Sequence, residues 1–500
     1  MKRILLAAAI TVLVFSNGSP VFAGGSSAGK TPSGSSVNAE FFQQKIEGSI
    51  TVSAYDTMLY RGFLEEAARA FEELYPGVKV NIDTFSAMPE MRTGGQGNMQ
   101  VTAVQSQNDP QGRQDYLSRI NTNLMSGSGA DLYAMDIIPL HKFYESGSLE
   151  NLDQYMEKDP GFNKSDYRQN ILDAVRYHNG TWFLPLDYTF SYYTYDSTLI
   201  PADIAKNFGP DKAYNAADLL KIGIPLYNGT YQLFNLTDFL RGPGGMFNAL
   251  LNESIRSYVN LENKKPNFVD GSFAEMLNSI KNNADSGYIP SGVTSQRDAG
   301  SIMQQGLANQ TDRYYFKLNG IVNLMSQFTR GAGMLIKMAM MGTALGIDDD
   351  DLIAGIEANT DGSVPFKFNQ GFGINSQSKN KAAAWAFLKF LLSKEMQLST
   401  NFTAQGLAIN NEARAEKAEL TLATAVRSIG GVLNDQQREA LKDYNAAAEA
   451  LSDKINTYVI QDSSINDMIT QEVQYFFNGT RTADEVARVL QNKADLYLSE

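Results

Sequence analysis

The chain has no cysteine. That absence removes disulfides, thiolate nucleophiles, iron–sulfur clusters and thiolate-ligated zinc together. Histidine is nearly as scarce, with only His141 and His178, and their separation leaves no zinc helix of the HxxxH or HExxH kind. Tryptophan is limited to Trp182 and Trp385. Positive charge is in deficit: 42 Lys and Arg stand against 55 Asp and Glu, a formal net charge of −13. A nucleic-acid partner wants a basic stripe for its phosphates and anionic lipid wants a polybasic surface, so neither is expected. Beyond the first residues, no apolar run reaches the roughly 18 residues of a membrane-spanning helix. The nearest, Gly331 to Gly346, is shorter, carries Lys337 and reads as a buried core helix.

What is present describes a globular protein: 500 residues, 43% apolar and 19% charged, long enough for two large domains or about three of ordinary size. The first residues read as an export address. Lys2 and Arg3 precede an apolar stretch from Ile4 to Phe15, and Val21-Phe22-Ala23 offers small residues at the cleavage positions, so 1–23 is expected to be a signal peptide. Residues 24–47 begin Gly/Ser-rich and are expected to form a flexible tether.

Ordered sequence is expected from about Gly48. Ser49 to Ser53 alternates like a strand, and Arg61 to Tyr75 follows helical period with Phe63, Leu64, Ala67, Ala68, Phe71 and Leu74 on one face. Pro76-Gly77 ends that helix before a second strand at Val78 to Ile82, which completes a βαβ unit. Another strand is expected at Ala130 to Asp136. Lys381 to Lys394 reads as an apolar helix capped from Ser376 or Ser378, and Thr482-x-x-Glu485 as a capping box before a helix with Val486, Val489, Leu490 and Leu496 inward. Residues 177–195 concentrate Tyr177, Trp182, Phe183, Tyr188, Phe190, Tyr192, Tyr193 and Tyr195, well above the chain's 11% aromatic content. Extended over Leu186 to Tyr195, the stretch puts Tyr188, Phe190 and Tyr192 on one face and Tyr193 and Tyr195 on the other.

Catalytic motifs are thin. Gly25-Ser26-Ser27-Ala28-Gly29 matches GxSxG but sits in the tether rather than on a strand-to-helix turn. Ser376-Gln377-Ser378-Lys379 matches SxxK without its companion motifs. Asp348 to Asp351 lacks the spacing of a calcium loop and reads as the acidic start of a helix. No phosphate loop occurs. A carboxylate pair for glycoside hydrolysis is not favoured by anything in the sequence.

Several blocks nevertheless resemble a known family. Ala70-Phe71-Glu72-Glu73-Leu74-Tyr75-Pro76-Gly77-Val78-Lys79-Val80, the turn Gly127-Ser128-Gly129-Ala130-Asp131, Ser146 to Leu152, Ala174 to Pro185, Gly373 to Glu395 and Phe477 to Val486 are similar to the extracellular solute-binding proteins of ABC importers, the carbohydrate-binding, maltose-binding-protein-like family. The blocks run across nearly the whole chain after the tether. The resemblance implies an α/β, type II periplasmic-binding-protein fold, in which two lobes joined by crossing strands close on ligand. Carried over by position, lobe one takes 48–187 plus 372–410 and lobe two 193–368 plus 411–500, with hinges at 187–193 and 367–372.

Open α/β sheets bind ligand beyond the carboxyl ends of their strands. The resemblance therefore implies ligand contacts from Tyr55, Asp56, Met58, Met135 and Asp136 in lobe one. From lobe two and the hinge it implies Asp187, Tyr188, Tyr192, Gln232, Phe234, Phe328, Asn369 and Gln370. A pyranose suits such a set, with C–H faces for aromatic rings and hydroxyls for Asp, Asn and Gln. With so few tryptophans, stacking would fall to Tyr and Phe. The expected protein is a non-enzymatic monomer without cofactor or metal that delivers a carbohydrate to an ABC permease from the periplasm. Ala23-Gly24-Gly25-Ser26 stands where relatives of other cell types carry a lipidated Cys. Two other roles share parts of this pattern: a sugar-sensing protein for a signalling receptor, and a secreted glycoside-active enzyme.

Overall fold

The computed structural model describes residues 37–55, 61–85, 110–235, 243–289, 313–321, 350–402, 406–428, 431–432, 434–460 and 462–499. The expected signal peptide, most of the tether and the Gly331–Gly346 run lie outside them.

Alternation of Ile50, Val52 and Ala54 with smaller polar residues gives the first strand, β1 (Gly48–Tyr55). Helix α1 (Arg61–Leu74) and strand β2 (Val78–Phe85) follow. Phe63, Leu64, Ala67, Ala68 and Phe71 are buried along α1, whereas Leu74, expected inward, is exposed in its last turn. Next come α2 (Pro110–Met125), β3 (Leu132–Ala134) and α3 (Leu140–Glu145). The aromatic stretch, expected as one strand, is broken into β4 (Leu184–Pro185), β5 (Asp187–Tyr188) and β6 (Ser191–Asp196). Then follow β7 (Ala213–Tyr214), β8 (Gln232–Asn235), α4 (Pro243–Tyr258), β9 (Tyr314–Gly320) and β10 (Asp351–Glu357). The acidic run that reads as a helix start thus ends on a strand. Asp351 faces Lys317 of β9 at 3.0 Å, and pairing between β6 and β7 overrides the local helix-start signal. Later elements include β11 (Pro365–Phe366), β12 (Gly371–Ile374), α5 (Lys381–Leu391), β13 (Leu407–Ala408), α6 (Asn411–Ser428), α7 (Asp435–Ser452), β14 (Thr457–Tyr458), α8 (Ser463–Phe477) and α9 (Ala483–Ser499).

Two five-stranded sheets organise the chain. The first has order β2-β1-β3-β12-β4, with β1 parallel to both neighbours and β12 antiparallel to both of its own. The second has order β7-β10-β6-β9-β8, with β6 antiparallel between two parallel pairs. The first sheet lies in one apolar core, which also takes Tyr192 and Ile356 from the second sheet, and the second sheet has a further core on its other face. The aromatic alternation is real, but each face is buried in a different core: Tyr188, Phe190 and Tyr192 in the first, Tyr193 and Tyr195 in the second.

The chain passes between the cores along three adjacent crossings. Thr189 and Lys367 exchange backbone hydrogen bonds at 2.7 and 2.8 Å, and β11 pairs in parallel with β14. Residues 411–452 read as part of lobe two; Ala413, Leu422, Tyr444 and Leu451 of α6 and α7 pack into a cluster that holds first-sheet residues together with Tyr192 and Ile356 of the second sheet, whereas α8 and α9 pack into the second core. In α9 the capping box is formed: the Thr482 N–H donates to Glu485 Oε2 at 2.8 Å, and the Glu485 N–H to Thr482 Oγ1 at 3.3 Å. Leu496 is exposed rather than inward. Helix α5 is not capped by Ser376 or Ser378, whose hydroxyls donate instead to the Gly147 carbonyl and to Asp131.

Candidate functional site

The two cores meet across a seam that is polar where the cores themselves are apolar. From the first core it receives the start of α2 and α3. From the second it receives the start of α8, the end of α9 and the turn around Lys264. Arg113 pairs with Asp467 at 3.1 Å, and Glu145 with Lys264 at 2.8 Å. His141 Nε2 stands 3.5 Å from Asp462 Oδ2. The Lys142 ammonium sits 3.8 Å from the centre of the Tyr497 ring, a cation–π contact, and the Tyr497 hydroxyl donates to Asp462 Oδ2 at 2.8 Å.

Asp462 is fixed by its place in the sequence. It is the N-cap of α8, and its Oδ1 accepts the N–H groups of Ser464 and Ile465 at 2.9 and 3.3 Å. Capping therefore aims the start of α8 at the first core. The carboxyl edge of the first sheet is formed by the ends of β1, β2 and β3. Tyr55, the last residue of β1, is buried with its ring 6.2 Å from Phe85 and 5.7 Å from Tyr116. Met135, just beyond β3, is also buried, and the next residue, Asp136, is half-buried. Burial pushes the Tyr116 hydroxyl well above its ordinary pKa, and the nearby Asp136 carboxylate adds to that.

The hinge residues are brought together, but as a tie between strands. Asp187 is fully buried. Its Oδ1 accepts the backbone N–H groups of Asn369 and Gln370, each at 2.9 Å, and its Oδ2 accepts the Asn369 side-chain amide at 2.8 Å. Burial raises the Asp187 carboxyl above its ordinary value although those donors pull the other way. Gln370 is fully buried and its carbonyl accepts the Leu186 N–H at 2.8 Å. Tyr188 is fully buried, stacks on Phe190 and donates its hydroxyl to Ser452 of α7 at 3.3 Å. Tyr192 is likewise buried, and desolvation holds its hydroxyl well above the ordinary range.

Asp187, Tyr188, Tyr192 and Gln370 are thus all buried, with Asp187 engaged by the 369–370 segment and Tyr188 by Ser452 of α7. On the second sheet, Phe234 is buried against Tyr193 and Phe316, and half-buried Gln232 pairs with Tyr314 at the outer edge. Asp56, Met58 and Phe328 lie outside the described residues. Both tryptophans are committed elsewhere: Trp182 donates to the Tyr177 carbonyl and Trp385 to Asp159, each at 2.7 Å.

The second sheet holds a buried acid pair at its own carboxyl edge. Glu357 ends β10. Glu253, from α4, accepts the Tyr193 hydroxyl at 2.7 Å and the Ala216 N–H at 2.9 Å. Burial, then the neighbouring Glu357, pushes Glu253 well above its ordinary pKa, and burial raises Glu357 as well. Beside the crossings lies a cavity of about 290 Å³ walled by both cores, with Tyr177, Arg256, Asn260, Asp361, Asp462 and Asn466 among its lining. None of the expected ligand residues lines it. Among the described residues no group of three His, Asp or Glu gathers as a metal site, and no helix is long and apolar enough to cross a membrane.

Sequence reading does not single out Arg113, Lys142, Asp462, Asp467 or Tyr497. Only Asp462, an Asp one residue before a helix, carries a local signal, and that signal is for capping.

A family model described as bacterial extracellular solute-binding protein matches residues 57–398. The fold is similar to that of an ABC substrate-binding protein from Listeria monocytogenes solved in complex with cycloalternan, at 17% identity and a TM-score of 0.52, over 91% of this chain and 99% of that one. It is similar to an extracellular solute-binding protein family 1 member from Alicyclobacillus acidocaldarius, at 15% identity and a TM-score of 0.53, over 91% of this chain and 100% of that one. A putative oligosaccharide periplasmic-binding protein from Synechococcus gives 12% identity and a TM-score of 0.54, over 90% of this chain and 99% of that one. Among curated protein sequences there is no significant match. At these identities the structural likeness speaks for the fold, a two-lobed α/β protein.

Proposed function

The chain belongs to the bacterial extracellular solute-binding protein family, and from that premise we propose that it captures a neutral carbohydrate between its two lobes and delivers it to an ABC importer outside the cytoplasm. The lobes of this reading follow the two cores, so the last return to lobe two falls after residue 452 rather than after 410. The carrying observation is the seam. Its charges are matched across the lobes, Arg113 with Asp467 and Glu145 with Lys264. A groove whose charges already satisfy one another suits a hydroxyl-rich neutral solute better than an ion. The cycloalternan complex of the Listeria protein and the oligosaccharide description of the Synechococcus protein support the same ligand class.

Of the expected residues, Asp136 is the one this reading assigns to meet a hydroxyl, because it follows β3 at the carboxyl edge of the first sheet and is half-buried. The covered aromatics of the hinge are excluded from that role in this reading. The role is binding without turnover.

A thermal-shift screen of mono- and oligosaccharides tests the proposal. A ligand that binds only the folded state at a hundred times its Kd stabilises by about 2.7 kcal/mol. The expected result is a rise in melting temperature with at least one carbohydrate, weakened in Asp136→Ala. A rise with amino acids or peptides, and none with any carbohydrate, overturns it.

A further inference from the structure

We propose that His141 and Asp462 form a proton-controlled latch between the two lobes, which closes when the imidazole is neutral and is released by acid. The two residues belong to different cores. His141 sits on α3 between the core residues Leu140 and Phe143, and Asp462 caps α8, whose Ile465 and Ile469 belong to the second core. Crossing strands, the polar seam and the apolar packing of Tyr192 and Ile356 join the two bodies among the described residues, and inter-domain interfaces of moderate size permit relative motion.

His141 is 2% exposed, and its two ring nitrogens form no hydrogen bond among the described residues. The Asp462 carboxylate opposite is already engaged by Ser464, Ile465 and Tyr497. At 3.5 Å, Nε2 lies close enough to feel that carboxylate without being hydrogen-bonded to it.

The charged groups around the ring pull both ways, two in each direction. Asp462 and Glu145 favour the imidazolium, whereas Lys142 and Lys264 oppose it; Lys142 also anchors the Tyr497 ring from the other core. Burial is the largest influence, and it holds the imidazole below its ordinary pKa while the seam is closed. Opening returns the ring to water and to an ordinary value near 6.5. The sign follows. A base whose pKa is depressed in one state stabilises that state above the ordinary pKa and destabilises it below. Closure is therefore retained at pH 7.5, and the closed-to-open ratio falls by up to about tenfold for each pH unit below 6.5 until the closed-state pKa is reached.

The test needs no ligand. In small-angle scattering of the unliganded mature protein, the radius of gyration should grow between pH 7.5 and pH 5.0, and His141→Gln should suppress that growth. Wild type keeps the experiment decisive if the variant folds poorly. The chain has only two histidines, so the imidazole signals of a His178→Gln protein report His141 alone, and they should titrate below pH 6.5. Titration at or above 6.5, a constant radius across the range, or equal expansion in a folded His141→Gln protein each overturns the latch. Equal expansion would assign acid opening to carboxylates instead. Because no sugar is involved, a negative screen for carbohydrate leaves this result intact, and the reverse holds too.

Discussion

Asp187 holds Asn369 twice, accepting its backbone N–H through one carboxylate oxygen at 2.9 Å and its side-chain amide through the other at 2.8 Å. The contact ties the strand leaving the first sheet to the strand returning to it, and the Gln370 N–H joins the same oxygen as the Asn369 backbone. Removing the acceptor strands buried donors, at about 1–3 kcal/mol each. Asp187→Ala should therefore lose on the order of 3 kcal/mol or more in urea unfolding, and Asp187→Asn, which keeps one acceptor, noticeably less. Wild-type stability in the Ala variant would mean that the two strands are held by their backbone ladders alone.

Tyr188 separates a core ring from a ligand platform. Its ring is fully buried and its hydroxyl reaches Ser452. Truncation to Ala should cost about 3–5 kcal/mol, as for other large aromatic deletions in cores. Tyr188→Phe loses only a hydrogen bond worth about 1 kcal/mol. Calorimetry on the folded fraction of either variant should give wild-type sugar affinity; a tenfold loss in the Phe variant would return this hydroxyl to the binding site.

What could be read from the sequence was local. The βαβ start, the Thr482–Glu485 box and the two-faced alternation of the aromatic stretch depend on residues a few positions apart, and each is present. Whether a face of that stretch is open is a different question, because periodicity only says that Tyr188 and Tyr193 point opposite ways. With a core on each side, both faces are covered. The seam was illegible for the same reason: Arg113 and Asp467 are 354 positions apart. Similarly, the apolar faces of α6 and α7 are visible in the sequence, but the core they join is not. The family resemblance placed the fold correctly, while the packing of 411–452 depends on contacts with residues from both sheets.

The Glu253–Glu357 pair predicts a stability slope with pH. Glu253 has a folded-state pKa well above its ordinary 4.5, because it is buried and faces Glu357. Its contribution is therefore complete below the unfolded value and is lost as pH rises through the folded one. Urea midpoints at pH 5 and pH 8 should drop in wild type and drop less in Glu253→Gln. A Gln variant less stable than wild type by the same amount at both pH values would show that Tyr193 and Ala216 select the carboxylate for its geometry alone.

The Arg113–Asp467 pair should tune closure rather than folding, since its partners belong to different cores. The Arg113 side chain is 13% exposed and that of Asp467 is 35%, which places the pair between a rim contact worth about 0.2–1 kcal/mol and a desolvated one worth more. Arg113→Glu sets two acids against each other and Asp467→Lys two bases, so each single variant should weaken sugar binding roughly three- to tenfold at low salt, with little change in urea midpoint. The double variant restores opposite charges and should recover most of the loss, which measures the coupling directly. Salt supplies the internal control. At about 1 M the screening length falls to about 3 Å, and the difference between the single variants and wild type should shrink. Additive losses in the double variant would mean that Arg113 and Asp467 act through separate partners and that the closed seam does not depend on their meeting.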